Sequence, residues 1–140
     1  MKSVFADADF WIVLLNPREE LHDRAGRISA GISRSRIVTS EMVIAEVLNF
    51  CGARGNAIRA KACEAMRRLR ENPNVMVVPQ TASQFAAAVD LYARHGDKRW
   101  SLTDCASFLV MRELGMTDAL TFDQHFEQAG FIALLRDDGH

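Results

Sequence analysis

The chain has 140 residues, of which 49% are hydrophobic and 25% charged, and its 17 basic and 18 acidic residues leave a net charge of −1. This balance excludes a disordered chain and a strongly basic nucleic-acid binder, so any nucleic acid must be held by a local basic patch together with cations. The length fits one domain with a core large enough to need no staples, expected over 1–135 with a frayed tail at 136–140.

In chain order, KSVFAD opens as a short β-type run closed by Asp7. FWIVLLN predicts a first helix stopped near Pro17, and ELHDRAGRISAGIS a polar, amphipathic helix ending around Gly31. RIVTS predicts a second strand, with Ser40 placed to cap the apolar helix EMVIAEVLNFCGA, which breaks at Gly52. NAIRAKACEAMRRLREN is a basic helix broken at Asn72-Pro73, and VMVVP a third strand bounded by prolines. TASQFAAAVDLYARHG is a helix with Thr81 as N-cap and Gly96 as its stop. WSLTDCASFLVMRELG starts a helix at Ser101 and ends it at Gly115. DALTF is a fourth strand, DQHFEQAG a short helix and FIALL a last strand. Strands alternating with helices predict a three-layer α/β/α domain around a mostly parallel sheet of four to five strands, joined by right-handed crossovers.

Cys51, Cys63 and Cys105 are odd in number and form no CxxC pair, which argues against a disulfide framework or a zinc ribbon. Each is expected to pack as a small hydrophobe in a reducing, cytoplasmic setting. The first apolar run is too short to cross a bilayer, and the N-terminus lacks the layout of a signal peptide.

Four acids stand out. Asp7 and Asp123 lie at the carboxyl ends of the first and fourth strands, where open α/β sheets build their sites. Glu46 shares a helical face with Met42, Val43 and Phe50, and Asp104 shares one with Phe108 and Met111. An acid on an apolar face is costly to bury unless it is paired or bound to a metal. Each also has a plainer reading. Asp7 and Asp123 could cap the helices after them, Ser101-Leu102-Thr103-Asp104 matches a capping box, and Glu46 could pair with a buried Arg. Clustered carboxylates need a cation to neutralise them, and oxygen ligands suit Mg²⁺ or Mn²⁺. Such an ion polarises a phosphodiester and acidifies a water, which points to metal-assisted phosphoryl transfer.

The segments VFADADFW, TSEMVIAEVLNF, WSLTDCASF and LTFDQHF resemble, in order and over nearly the whole chain, the signature segments of PIN-domain ribonucleases, especially VapC-type toxins. The resemblance implies that Asp7, Glu46, Asp104 and Asp123 hold Mg²⁺ or Mn²⁺ and that Ser101, Thr103 and Thr121 support them. It also implies a ribonuclease leaving 5′-phosphate and 3′-hydroxyl ends, a homodimer, and an antitoxin whose tail enters the groove. Asp9 departs from the pattern, where the family usually has a small hydroxyl residue or Asn. It either contacts metal-bound water or caps the first helix, and the cap is favoured.

Lys98 and Arg99, beside the SLTD segment, are candidates for RNA phosphates. Arg54, Arg59, Lys61, Arg67, Arg68 and Arg70 read equally as an RNA face or a solvated helix face. His22, His95, His125 and His140 form no metal-spaced set, and a surface position is favoured for His125. Trp11 and Trp100 are expected in packing rather than in base stacking. Two alternatives remain. FADAD also resembles the opening of haloacid-dehalogenase-type phosphatases, but Trp11 stands where that family places Thr or Val. A PIN-like module that binds RNA or protein without cutting would be marked by loss of an acid, and all four are present.

Overall fold

The structure, a computed structural model, describes residues 2–136. Five strands, β1 (Ser3–Ala6), β2 (Arg36–Ser40), β3 (Val75–Val78), β4 (Asp118–Leu120) and β5 (Ile132–Ala133), form one sheet in the order β3-β2-β1-β4-β5. Every neighbouring pair is parallel. The described helices are α1 (Ala8–Leu15), α2 (His22–Gly31), α3 (Glu41–Gly52), α4 (Asn56–Glu71), α5 (Ala82–Arg94), α6 (Leu102–Glu113) and α7 (Gln124–Gln128).

Side chains of a strand alternate between faces, and β1 shows what each face packs. Val4 and Ala6 point to a smaller core with Phe10 and Val13 of α1, Ala25 of α2, Leu120 and Leu135. Phe5 points to the larger core, with Val43 and Val47 of α3, Met66 and Leu69 of α4, Leu91 of α5, Phe108 of α6 and Phe126 of α7. Helices therefore cover both faces, as an all-parallel sheet requires. No helix among the described residues is long and apolar enough to cross a membrane.

The caps fall where the sequence puts them. Ser40 accepts a hydrogen bond from Val43 N at 3.2 Å, and Thr81 and Ser101 each open a complete capping box. Gly115, at φ 66°, ends α6 with the left-handed residue that glycine supplies without a steric penalty. Three expectations need adjustment. The second helix starts at His22 rather than Glu20, because Leu21 stands at the N-cap and offers no side-chain acceptor. The fourth strand stops at Leu120, because Thr121 and Phe122 turn away to bond acids of the β1 end. β5, with only this short neighbour, keeps two residues. Cys51 and Cys105 are buried as expected, but Cys63 lies on the exposed side of α4. Of the proposed tail, residues 137–140 lie outside the described residues.

Trp100 is buried, donates its indole N–H to Gln128 Oε1 at 3.0 Å and meets Phe108 edge-on at 5.0 Å. Phe108 in turn packs edge-on against Phe126 at 5.0 Å and against Phe131 at 5.7 Å. This aromatic cluster fixes α6 against α7. Phe108→Ala is expected to cost about 3–5 kcal/mol of unfolding free energy in urea denaturation, and a loss under 1 kcal/mol would show that the cluster does not anchor these helices.

Candidate active site

The strand order sets the place. β1 has β2 on one side and β4 on the other, so the chain's direction of travel across the sheet reverses at β1. Such a switch opens a crevice beyond the carboxyl ends of the strands. Asp7 follows β1 directly and Thr121-Phe122-Asp123 follows β4. The two ends are tied by Asp7 N, which donates to Leu120 O at 3.1 Å.

Thr121 is the hub, with no exposed surface. Its hydroxyl lies 3.0 Å from Asp7 Oδ2 and 3.3 Å from Asp9 Oδ2, and it accepts from Asp123 N at 3.1 Å. One side chain thus fixes three acids. Asp7 occupies the N-cap position of α1 but makes no side-chain cap bond, so its carboxylate, 6% exposed as a residue, is free for the crevice. Asp9 is not a cap. It sits in the first turn of α1, where Oδ2 accepts from Phe122 N at 2.9 Å, while the buried Oδ1 has no partner. The cap reading fails because Asp7 already holds the N-cap position.

Asp104 serves both roles offered for it. It closes the capping box by accepting from Ser101 N at 3.0 Å, and the same Oδ2 lies 2.9 Å from His125 Nδ1. Asp123 caps α7 through Oδ1, which accepts from His125 N at 2.9 Å, and its Oδ2 lies 3.1 Å from His125 Nδ1. Between two carboxylates, Nδ1 is the ring nitrogen placed to carry a proton. His125 is therefore part of the crevice and not a surface residue. Its signal was the spacing: the second residue after an N-cap Asp turns back over that acid.

Glu46 differs from expectation. The residue is exposed, at the mouth of the crevice rather than within the core, and only its carboxylate end is crowded by the acids below. Ser101 is exposed and Thr103 half-buried, with the Thr103 hydroxyl set against Glu46. Lys98 and Arg99 are exposed and line, with Tyr92, His95, Trp100 and Ser101, a cleft of about 520 Å³, and Ser101 N holds Asp104. The basic stretch on α4 is largely a solvated face: Arg67 and Arg68 pair with Glu64, and Arg70 with Glu41. Arg54 instead covers the Phe50 ring.

Crowding shapes the electrostatics. Burial lifts the Asp7 carboxyl well above the usual range, and the charge of Asp9 adds to it. Burial pushes Asp9 up to about 6, against the pull of the Phe122 N–H, with Asp123 raising it further. Asp104 is raised by burial and by Asp123, and Glu46 by loss of solvent and by Asp104 and Asp123. Like charges in a partly dry crevice disfavour one another, and a cation relieves them. The donor set fits one. Asp104, Asp123 and His125 each offer a ligand atom, all within 4.8 Å of one another, while Asp7 and Glu46, the other two expected ligands, stand outside that group and Asp9 leaves a buried oxygen unpartnered.

A crevice of acids at the β1/β4 switch of a five-stranded parallel sheet is the architecture of the PIN domain, and the PIN domain family matches residues 4–132. The chain belongs to that family. Among its relatives are the 23S rRNA-specific endonucleases VapC20 of two Mycobacterium tuberculosis strains, each 32% identical over 129 residues, which span 92% of this chain and 95% of the relative. The crystal structure of M. tuberculosis VapC20, described as a sarcin-ricin loop cleaving toxin, superposes with a TM-score of 0.81 at 31% identity over 92% of this chain and 96% of that one. FitAB bound to a DNA fragment superposes at 0.70 with 16% identity, over 98% of this chain and 99% of that one, which speaks to the fold alone.

The raised carboxylates predict an unusual pH response. Unfolding returns the aspartates to values near 3.8 and Glu46 to near 4.5, so from there up to about pH 6, where Asp9 titrates, the folded protein holds more protons than the unfolded chain. Stability is then full below that window and falls as pH rises through it, at up to about 1.4 kcal/mol per pH unit per group. In EDTA the protein should melt higher at pH 5 than at pH 7.5, and saturating Mn²⁺ should narrow the difference. Melting that rises with pH in EDTA would show that the acids are not crowded.

Proposed function

We propose that this protein is a divalent-metal-dependent endoribonuclease, the toxin of a toxin–antitoxin pair acting in the cytoplasm, with 1–135 as its single catalytic domain. The observation that carries the reading is the convergence of Asp7, Asp104 and Asp123, with Glu46 at the rim, in a chain 32% identical to a 23S rRNA-specific endonuclease. Asp7, Glu46, Asp104 and Asp123 would hold Mg²⁺ or Mn²⁺. Such an ion, when bound, polarises the scissile phosphodiester and lowers the pKa of water.

The chain's own residues supply the rest. Thr121 orients Asp7, Asp9 and the Asp123 backbone, and Ser101 orients Asp104. Thr103 supports Glu46. Asp9, with one oxygen buried and unpartnered, adds its negative charge beside Asp7 and Asp123. Lys98 and Arg99, in the cleft they share with Ser101, counter the phosphates of the RNA strand. Ribosomal RNA is the first substrate class to test, given what VapC20 cuts. Exposed Phe85 and Val89 on α5 offer an apolar face for an isologous homodimer, and the acid crevice offers an antitoxin's basic side chain a place to bind.

Cleavage of an end-labelled single-stranded RNA should require Mg²⁺ or Mn²⁺ and stop in EDTA. Asp104→Asn keeps the shape and removes a charge, and is expected to lower the rate by about a hundredfold or more. Full activity in that variant, or in EDTA, would refute the mechanism. Metal-independent RNA binding without any cleavage would favour the non-cutting module.

A further inference from the structure

A second open cleft of about 410 Å³ is lined by Leu21, Arg24, Phe122, Leu135 and Arg136. Its two arginines are anchored by hydrogen bonds to main-chain carbonyls. Arg24, half-buried on α2, donates through Nε to Leu135 O at 2.8 Å. Arg136 donates through Nη1 to Phe122 O at 3.3 Å and pairs through Nε with Glu127 at 2.8 Å. Each guanidinium thus has one edge fixed by the protein and N–H groups left over, and Arg24 has no carboxylate partner among the described residues. A guanidinium held in this way loses little freedom when it takes a phosphate.

The cleft adjoins the acids through a single residue. Phe122 gives its N–H to Asp9 Oδ2 and its carbonyl to Arg136, and the next residue is Asp123. A strand whose scissile phosphate lies at the acids would reach this cleft at Phe122. A lone structural tie between α2 and the end of β5 would explain Arg24, but not a second fixed arginine on the same opening beside a site that repels phosphate.

We propose that Arg24 and Arg136 form a phosphate-binding subsite for the RNA strand, flanking the scissile bond on the Asp9–Asp123 side. The proposal rests on the ribonuclease reading and adds to it a second basic flank and a path for the substrate across the acids. The chemistry recognised is a phosphodiester anion, not a base, so the contribution is independent of sequence.

The test uses a fluorescently labelled single-stranded RNA, with binding followed by anisotropy in the Asp104→Asn background so that the strand stays intact. Arg24→Gln is expected to weaken binding about tenfold at low salt and to reduce the slope of log K against log salt by about 0.7, the share of one single-strand phosphate. Arg24→Lys should retain most of the slope. In the otherwise native protein, Arg24→Gln should raise KM while kcat holds. Arg136→Gln, at the opposite wall, provides the second variant if loss of the Leu135 bond unfolds the first, and thermal melts report folding. An unchanged salt slope in folded Arg24→Gln or Arg136→Gln would overturn the subsite while metal-dependent cleavage by the native protein stands. Arg24→Gln that loses only binding of a partner protein, with RNA affinity intact, would overturn it in favour of a peptide-carboxylate contact. Absence of RNA binding and cleavage in the native protein would remove both readings together.

Discussion

The structure depends on holding several carboxylates close together against their mutual repulsion. Asp7, Asp9, Asp104 and Asp123 meet where β1 and β4 end, and few neutral donors or cations hold them there. The Thr121 hydroxyl, the Phe122 and Ser101 N–H groups and the His125 ring do this work. None of them lies on a loose loop. Thr121 and Phe122 are the first residues beyond a buried strand, Ser101 caps α6, and His125 sits on α7, whose Phe126 is buried. The packing of the aromatic cluster under α6 and α7 is therefore also what resists the spreading of the acids.

That resistance links stability to chemistry. A fold that keeps like charges together gives up stability in the ionised, metal-free state, and regains it on binding a cation that the unfolded chain does not bind. The same repulsion disfavours a phosphate, so basic groups are needed on the flanks of the acids rather than among them. Lys98 and Arg99 share a cleft with Ser101, the residue that holds Asp104, and Arg24 and Arg136 share one with Phe122, the residue that holds Asp9. On the proposed path, a chain with net charge −1 would hold a polyanion through locally placed positive charge.

Much of the fold was legible because local signals agreed with the tertiary outcome. RIVTS followed by a capping Ser40, the capping boxes at Thr81 and Ser101, and the stop at Gly115 are local rules that packing left intact. The ends of β4 and the length of β5 were not legible, since they depend on Thr121 leaving the ladder to bond residues 114 positions away. In the site, strand-end placement pointed to Asp7 and Asp123, helical periodicity singled out Glu46 and Asp104, and the family resemblance joined the four. Periodicity misled at Glu46: its helix neighbours are apolar, yet this stretch of α3 turns its outer face toward an open crevice, so the acid stands at a mouth and not in a core. Asp9 was misread because its partner, Phe122 N, is distant in sequence and no local rule points to it, whereas at His125 the spacing after Asp123 was a local signal passed over.

The requirement that crowding imposes is a divalent cation bound among the carboxylates. Its most direct test is calorimetric titration of Mn²⁺ into the RNA-free protein at neutral pH, with Asp7→Asn and Asp123→Asn compared against the parent. Saturable binding by the parent is expected, weakened by about tenfold or more in each variant, because a charged ligand becomes neutral. Absence of saturable binding to the parent, or equal affinity in all three proteins, would contradict it.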